Sequence, residues 1–178
     1  DNAQFTAGSF QSLTSLTIND TSQISASTIN SIVKNADAIN GGSTTALNVA
    51  TAASITGTAA DYGDGNDNGA DDKLVYNVNQ SLVTGISAKN LFVTGGTITV
   101  AEANIIQAIS SGVTTASITD TQRVTDLITL DATSGSTPNA YTITIATADE
   151  GSALSPISAA HLNTIDGLTS VAIDAGNV

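Results

Sequence analysis

A frame of nine residues recurs three times along this chain, and it limits the available folds more than any other feature of the sequence. The frame reads Ile, Ser or Thr, a small residue, two variable residues, an apolar residue, Asn, a variable residue and Ile. Its copies begin at Ile24, Ile98 and Ile157, and a shortened version without the Asn begins at Ile86. Recurrence of one pattern at separate places indicates that the chain contains related structural units.

Each copy of the frame predicts the start of a short amphipathic helix. Ser25, Thr99 and Ser158 occupy the position from which a hydroxyl caps the free N–H groups of a first helical turn. Thr99 and Glu102 also have the spacing of a capping box, in which each side chain bonds the other residue's backbone. The apolar residues that follow recur three and four positions apart, which gives each helix one buried face over about three turns.

The Asn of the frame, at Asn30, Asn104 and Asn163, allows two interpretations. A side-chain amide at this place could bind the backbone of a neighbouring segment. The Asn could equally lie on an exposed helical face that merely tolerates it. The sequence alone leaves both interpretations open.

Strand-like runs separate the helices, and several alternate polar with apolar residues as half-buried strands do. These runs are 13–18, 46–50, 74–78, 112–118, 141–145 and 170–174. The segments 44–56 and 114–125 align with each other, and the runs 74–78 and 141–145 occupy corresponding places. The middle of the chain therefore reads as two copies of one unit. We predict an N-terminal strand or linker, a first unit, a second unit and the start of a third, at residues 1–17, 18–85, 86–156 and 157–178.

The core available to this chain consists of small aliphatic side chains. Aromatic residues make up 3% of the sequence, and Trp, Met and Cys are absent. Small side chains bury less area per residue, so thin layers suit the chain better than one thick globule. We expect an α+β fold, an elongated repeat array of short strands with one short amphipathic helix per unit. The alternative is an all-β solenoid or sandwich.

Charge argues against two classes of partner. The chain carries 4 Lys+Arg against 16 Asp+Glu, which gives a formal net charge of −12. It therefore has almost nothing with which to displace the counterions of a nucleic acid. Anionic membranes are disfavoured for the same reason, and no apolar run approaches the roughly 18 residues of a membrane-spanning helix. We expect neither nucleic-acid binding nor membrane insertion.

The strongest candidate for a binding site is an acidic loop. Positions 61–72 contain five Asp and two Asn, together with Gly residues that allow tight curvature. Calcium takes about six to eight oxygen ligands, and carboxylates this close together repel one another without a cation. The predicted calcium ligands are Asp61, Asp64, Asn66, Asp67, Asn68, Asp71 and Asp72. The loop does not match an EF-hand, and the alternative interpretation is a solvated acidic turn.

Little in the sequence supports catalysis. His161 is the only His, and it lies at a variable position of the third frame, which favours an ordinary surface residue. The absence of Cys excludes thiol catalysis and zinc–thiolate sites. No Gly-x-Ser-x-Gly motif accompanies the abundant Ser and Asp. We expect a protein that is not an enzyme.

The frame, together with Ile55–Asp61 and Leu168–Asp174, resembles repeats of giant cell-surface and adhesin-like proteins of cyanobacteria and marine bacteria, which are rich in Thr and Asp and poor in Cys. The resemblance covers most of residues 18–178. It implies export to the cell surface, calcium, and a structural or adhesive role.

We therefore expect a calcium-stabilised structural module of a secreted bacterial surface assembly, such as a giant surface protein, surface layer, sheath or filament. Its partners would be neighbouring repeat modules or identical subunits. The alternative is a calcium-dependent adhesin module that binds a glycan or a cell-surface receptor.

Overall fold

The chain folds around two parallel sheets, and a computed structural model describes residues 15–39, 45–63, 73–118, 124–134, 137–145 and 157–175. These residues form ten strands and six helices. The strands are β1 (Ser15–Thr17), β2 (Gln23–Ser25), β3 (Ala46–Asn48), β4 (Ser54–Thr58), β5 (Val83–Thr84), β6 (Asn90–Ile98), β7 (Thr114–Ile118), β8 (Thr133–Ser134), β9 (Thr137–Pro138) and β10 (Ala140–Ile143). The helices are α1 (Ala26–Ile39), α2 (Ala59–Tyr62), α3 (Leu74–Asn79), α4 (Val100–Ala108), α5 (Val124–Leu127) and α6 (Ala159–Asp166).

In both parallel sheets, the spatial order of the strands follows their order along the sequence. The three-stranded sheet has the order β1-β3-β5 and the five-stranded sheet the order β2-β4-β6-β7-β10. Every neighbouring pair in these two sheets is parallel. A bridge between Thr144 and Asp174 adds the segment after α6 to the outer edge of β10. β8 and β9 form a separate antiparallel pair.

The expected α+β class with an elongated repeat array was wrong, and so was the all-β alternative. Parallel strands that alternate with helices define an α/β fold. The fold is compact, because the buried residues of both sheets and of the helices belong to one continuous hydrophobic core. An alternating run specifies which side chains are buried but not the direction of the neighbouring strand, so the class did not follow from the predicted strands.

The alternation of strands and helices resembles that of Rossmann-like α/β domains, but the strand order differs. In those domains the order reverses at one point of the sheet, and this reversal creates the crevice in which ligands bind. Among the described strands the order runs in one direction only. The division of the chain into units at 17/18, 85/86 and 156/157 stays a prediction.

The capped helix starts predicted from the frame are confirmed. Thr99 and Glu102 form the capping box: the Thr99 hydroxyl accepts from the Glu102 N–H at 3.2 Å, and the Glu102 carboxylate accepts from the Thr99 N–H at 2.7 Å. Ser25 caps α1 and Ser158 caps α6 through their hydroxyl oxygens. The frame therefore places a helix directly behind its Ser or Thr in all three copies.

The run 74–78 is helical, and its interpretation as a strand was wrong. Leu74 and Val75 are both buried, and Val78, one turn later, packs against the same core. This spacing is that of one face of a helix, and five residues are too few to separate it from a strand by periodicity. The expected correspondence with 141–145 fails for the same reason, since β10 covers Ala140–Ile143.

Candidate functional site

The acidic loop is the predicted calcium site, and the structure describes one of its seven predicted ligands. Asp61 is half-buried in α2, where it forms a capping box with Thr58. Its Oδ2 accepts hydrogen bonds of 2.8 Å from both the N–H and the hydroxyl of Thr58. A cation at Asp61 would therefore be bound through the other carboxylate oxygen. The remaining predicted ligands lie outside the described residues; they are Asp64, Asn66, Asp67, Asn68, Asp71 and Asp72.

The fold holds the two ends of this loop close together. The Lys73 ammonium group donates a 2.7 Å hydrogen bond to the carbonyl oxygen of Ala60. On the inner side of each end, Tyr62 and Leu74 are fully buried. The described residues that flank positions 64–72 are therefore held near each other in the fold.

Tyr62 fixes the start of the loop to the five-stranded sheet. Its hydroxyl donates to the carbonyl oxygens of Ile55 at 3.0 Å and Phe92 at 3.3 Å, which belong to β4 and β6. Burial raises the pKa of this phenol well above its usual range, and the nearby Asp61 carboxylate adds to the increase. The phenol is thus a neutral anchor between α2 and the five-stranded sheet.

The residues described elsewhere in the chain do not form a second metal centre. Within the ranges that the structure covers, no three His, Asp or Glu side chains are grouped so that they could hold a metal ion. His161 is half-buried on α6, where its backbone N–H donates to the Ser158 hydroxyl at 3.2 Å.

The outward face of the five-stranded sheet is a second candidate surface, and we call it the hydroxyl face. Alternate residues of the strands point into the core, and the remaining ones form this face. The alternation is interrupted in β6, where residues 94–97 are all exposed and the register with β7 shifts between Phe92 and Thr97. Its members are Gln23, Ser25, Ser54, Thr56, Thr58, Asn90, Phe92, Thr94, Thr97, Thr115, Ser117, Ala140, Thr142 and Thr144. None of them is charged, although the chain has a formal net charge of −12.

Strand register arranges the hydroxyl face in rows. Thr97 pairs with Ser117, and Ser117 pairs with Thr142, on three neighbouring strands that lie about 4.8 Å apart. In the part of the chain that the structure describes, six hydroxyls of the face make no hydrogen bond to another protein group. They are those of Thr56, Thr97, Thr115, Ser117, Thr142 and Thr144. Their donors and acceptors are available to water or to a polar ligand.

Sequence reasoning did not find the hydroxyl face as a surface. The alternation of polar and apolar residues is visible within single strands such as β7 and β10. The assembly of the hydroxyls into rows depends on parallel pairing between residues that are distant in sequence, from Thr97 with Ser117 to Thr56 with Phe92. No local pattern specifies that pairing.

The recurrent Asn residues connect successive parts of the fold. Asn30 donates through Nδ2 to the carbonyl oxygen of Asp61 at 2.9 Å. Asn104 binds the backbone of 129–131 with both ends of its amide, at 2.9 and 2.8 Å. Asn163 is exposed. The interpretation of the Asn as a backbone ligand is therefore confirmed for two copies of the frame, whereas the third copy presents its Asn to solvent.

No known protein family, curated protein or solved structure matches this chain. Among the helices that the structure describes, none is both long enough and apolar enough to cross a lipid bilayer. The site must therefore be interpreted from its own geometry.

Proposed function

We propose that this chain is a non-enzymatic structural module of a secreted bacterial cell-surface assembly. One observation carries the proposal: one edge of the five-stranded sheet is its first described strand, and the other is extended by the last described segment of the chain. β2 forms one edge, and the segment bridged at Asp174 forms the other. Within the described ranges, no strand pairs with the outer side of either edge. The sequence resemblance to giant bacterial surface proteins supports the same role.

Open parallel edges are suited to joining modules. An outer strand presents N–H and C=O groups that accept a further strand, and this is a common way for proteins to assemble. Because the described strands of this sheet all run parallel, strands of neighbouring modules or identical subunits can add to it in the same sense without a change of architecture. The surface assembly would be built from such contacts.

Calcium would stabilise this module at the acidic loop. Its five carboxylates lie within residues 61–72, and the Lys73–Ala60 hydrogen bond holds the ends of the segment together. Five carboxylates within twelve residues repel one another, which favours a divalent cation with oxygen ligands. A cation that binds only the folded chain raises its stability in proportion to the logarithm of its concentration.

Thermal unfolding in excess EDTA and in millimolar calcium tests the proposal. Calcium should raise the melting temperature of the native chain but not that of an Asp64→Ala/Asp67→Ala variant. The matched control is Asp126→Ala/Asp166→Ala, which removes the same charge from two exposed helical positions and should keep the response to calcium. An unchanged melting temperature of the native chain would remove calcium from the proposal.

Antibody labelling of intact cells tests export, and a purely intracellular signal would overturn the surface role.

The hydroxyl face favours a second function, that of an adhesin module binding a neutral glycan. Hydroxyl rows without charge match the donors and acceptors of a sugar, and the half-buried ring of Phe92 lies among them. A glycan array with the native chain and with a Thr97→Val/Thr142→Val variant tests this function. Binding that is lost in the variant supports it. Failure of the native chain to bind any glycan would count against it.

A further inference from the structure

The three copies of the frame differ in how far the rest of the fold covers them. Ala26, Val100 and Ala159 occupy the same position, the first residue of the helix. Ala26 is 0% exposed and Val100 is 5% exposed, whereas Ala159 is exposed. Since these positions carry small apolar side chains in all three copies, the difference lies in what covers them.

The first copy is covered by a segment that includes the end of the next strand of the five-stranded sheet and the helix after it. This segment begins in β4, where a Cβ atom on Gly57 would lie 2.9 Å from the Cβ of Ala26. It continues into α2, where the Asp61 carbonyl oxygen accepts from Asn30. The contact between these successive parts of the fold therefore has two components. A small residue, Gly57, packs against the first residue of the helix, and a backbone carbonyl oxygen accepts from the Asn amide.

The second copy is covered in the same way. The next strand after α4 is β7, and the segment that follows β7 supplies the backbone groups at 129–131 that bind Asn104. Val100 and Ala103 are also buried. The contact between the Asn amide and the backbone of a later segment therefore occurs in both copies.

The third copy lacks such a cover among the described residues. Ala159 and Asn163 are exposed, and Leu162 is only half-buried although its equivalents Ile29 and Ala103 are 0% exposed. The next strand-like segment ends at the Asp174 bridge on the edge of β10. We call the surface formed by Ala159, Leu162, Asn163 and the outer edge of 171–174 the C-terminal face.

We propose that the C-terminal face binds the first strand–helix segment, β2–α1, of a second copy of this chain in a head-to-tail contact. The inference rests on the proposed structural role and identifies the partner and the surface. β2 has an outer edge that no described strand occupies, and it leads directly into a capped helix, as β4 does. β2–α1 thus offers the kind of strand and helix that covers the first two copies.

Dimensions agree with this contact. If β2 of the second copy pairs with 171–174, it lies two strand spacings, about 9.5 Å, from β10. Two packed helices have axes about 8–10 Å apart. The α1 helix of the second copy can therefore lie against α6, cover Ala159 and place polar side chains beside the amide of Asn163. Asn35, which is exposed on the side of α1 roughly opposite Asn30, would face this contact.

The contact is heterologous, because it joins different surfaces of the two copies. Such contacts leave one free surface at each end and continue into filaments unless a ring closes. Each copy has a formal net charge of −12, so repulsion opposes the contact and salt should strengthen it.

Sedimentation velocity of the full chain over a wide concentration range tests the contact with three variants. Ala159→Arg blocks the C-terminal face, Asn35→Arg blocks the opposite surface on α1, and Ala101→Arg is the matched control at an exposed position of α4. The native chain and the control should associate as concentration rises, and each blocked variant alone should stay monomeric. An equal mixture of the two blocked variants should form dimers and no larger species, because each retains one of the two surfaces. Asn163→Ala should weaken association by about tenfold.

Two results would overturn the contact. One is a native chain that stays monomeric at every concentration and at high salt. The other is association of Ala159→Arg equal to that of the native chain, with circular dichroism showing that the variant is folded. In the second case assembly exists through another surface. In the first case a calcium-dependent melting temperature and labelling of intact cells would still support the proposed function, so the two failures are distinguishable.

Discussion

The side-chain amide of Asn77 donates a 3.0 Å hydrogen bond to Oδ1 of Asn30, and both residues are buried. Asn30 in turn donates to the Asp61 carbonyl oxygen. This relay of hydrogen bonds connects α3, α1 and α2 through the interior. An apolar side chain at position 30 could form neither bond. The relay accounts for an Asn at position 30 although Asn is not favoured within helices.

Replacement of Asn30 by Ala should destabilise the fold by about 2 kcal/mol, because it removes the hydrogen bonds to the half-buried Asp61 carbonyl oxygen and to the buried Asn77 amide. The same substitution at the exposed Asn163 should change the free energy of unfolding by less than about 0.5 kcal/mol in the monomer. Urea unfolding at low protein concentration measures both values. Equal changes at the two positions would show that the relay adds no stability beyond what any Asn of the frame contributes.

The capping box at Thr99 gives a second prediction. Thr99→Ala removes the oxygen that accepts from the Glu102 N–H, and it should cost about 1 kcal/mol. Thr99→Ser keeps that oxygen and should restore most of the loss. Thr97→Ala, on the hydroxyl face two residues earlier, is the control and should have little effect. A loss as large in Thr97→Ala as in Thr99→Ala would mean that the strand, and not the cap, is responsible.

The frame made the helix starts predictable, because capping depends on residues within one turn of each other. Thr99 and Glu102 are three positions apart, and their spacing alone specifies the bond that forms. The role of Asn30 could be proposed but not decided, since its partner Asp61 lies far away in sequence. The predicted calcium ligands followed from the crowding of Asp at 61–72, and the described geometry adds the closure of that segment by Lys73.

The sheets could not be predicted, because strand direction and register depend on distant segments. The run at Leu74–Val78 carried too few residues to separate helix from strand, and packing against the core decided it. The hydroxyl face followed only once Thr97, Ser117 and Thr142 were placed in register. Local chemistry thus determined the helix ends, while tertiary pairing determined the fold class and the surfaces.

Gly112 should tolerate no side chain. A Cβ atom there would lie 2.3 Å from the carbonyl oxygen of Lys89, and backbone cannot move aside as a flexible side chain can. Gly112→Ala should therefore cost about 3 kcal/mol or prevent folding. Gly167→Ala is the control, since its nearest neighbour would be 3.4 Å away and its φ of −70° suits alanine. Comparable thermal stability of both variants would contradict the close approach.

The two fully buried tyrosines should respond oppositely to loss of the hydroxyl. Tyr62 donates to two backbone carbonyl oxygens, so Tyr62→Phe should cost about 1–2 kcal/mol. The Tyr141 hydroxyl is buried and has no hydrogen-bond partner within the described structure. Tyr141→Phe removes an unpaired polar group and should leave stability unchanged or raise it slightly. Urea unfolding of both variants measures the difference, and a large loss in Tyr141→Phe would reveal a partner for its hydroxyl.

The same tyrosines should make the fold sensitive to alkaline pH. Burial raises the pKa of Tyr62 and of Tyr141 above the value of about 10 that a phenol has in the unfolded chain. The folded state therefore holds protons that the unfolded state releases first. This contribution to stability is complete below about pH 10 and is lost as the pH rises toward the pKa values of the folded state. The free energy of unfolding should accordingly fall above about pH 10.

The slope of the free energy of unfolding against pH should be much smaller in Tyr62→Phe/Tyr141→Phe than in the control Tyr76→Phe, whose side chain is only half-buried. If the double variant loses stability as steeply as the control, groups other than these two phenols determine the alkaline limit.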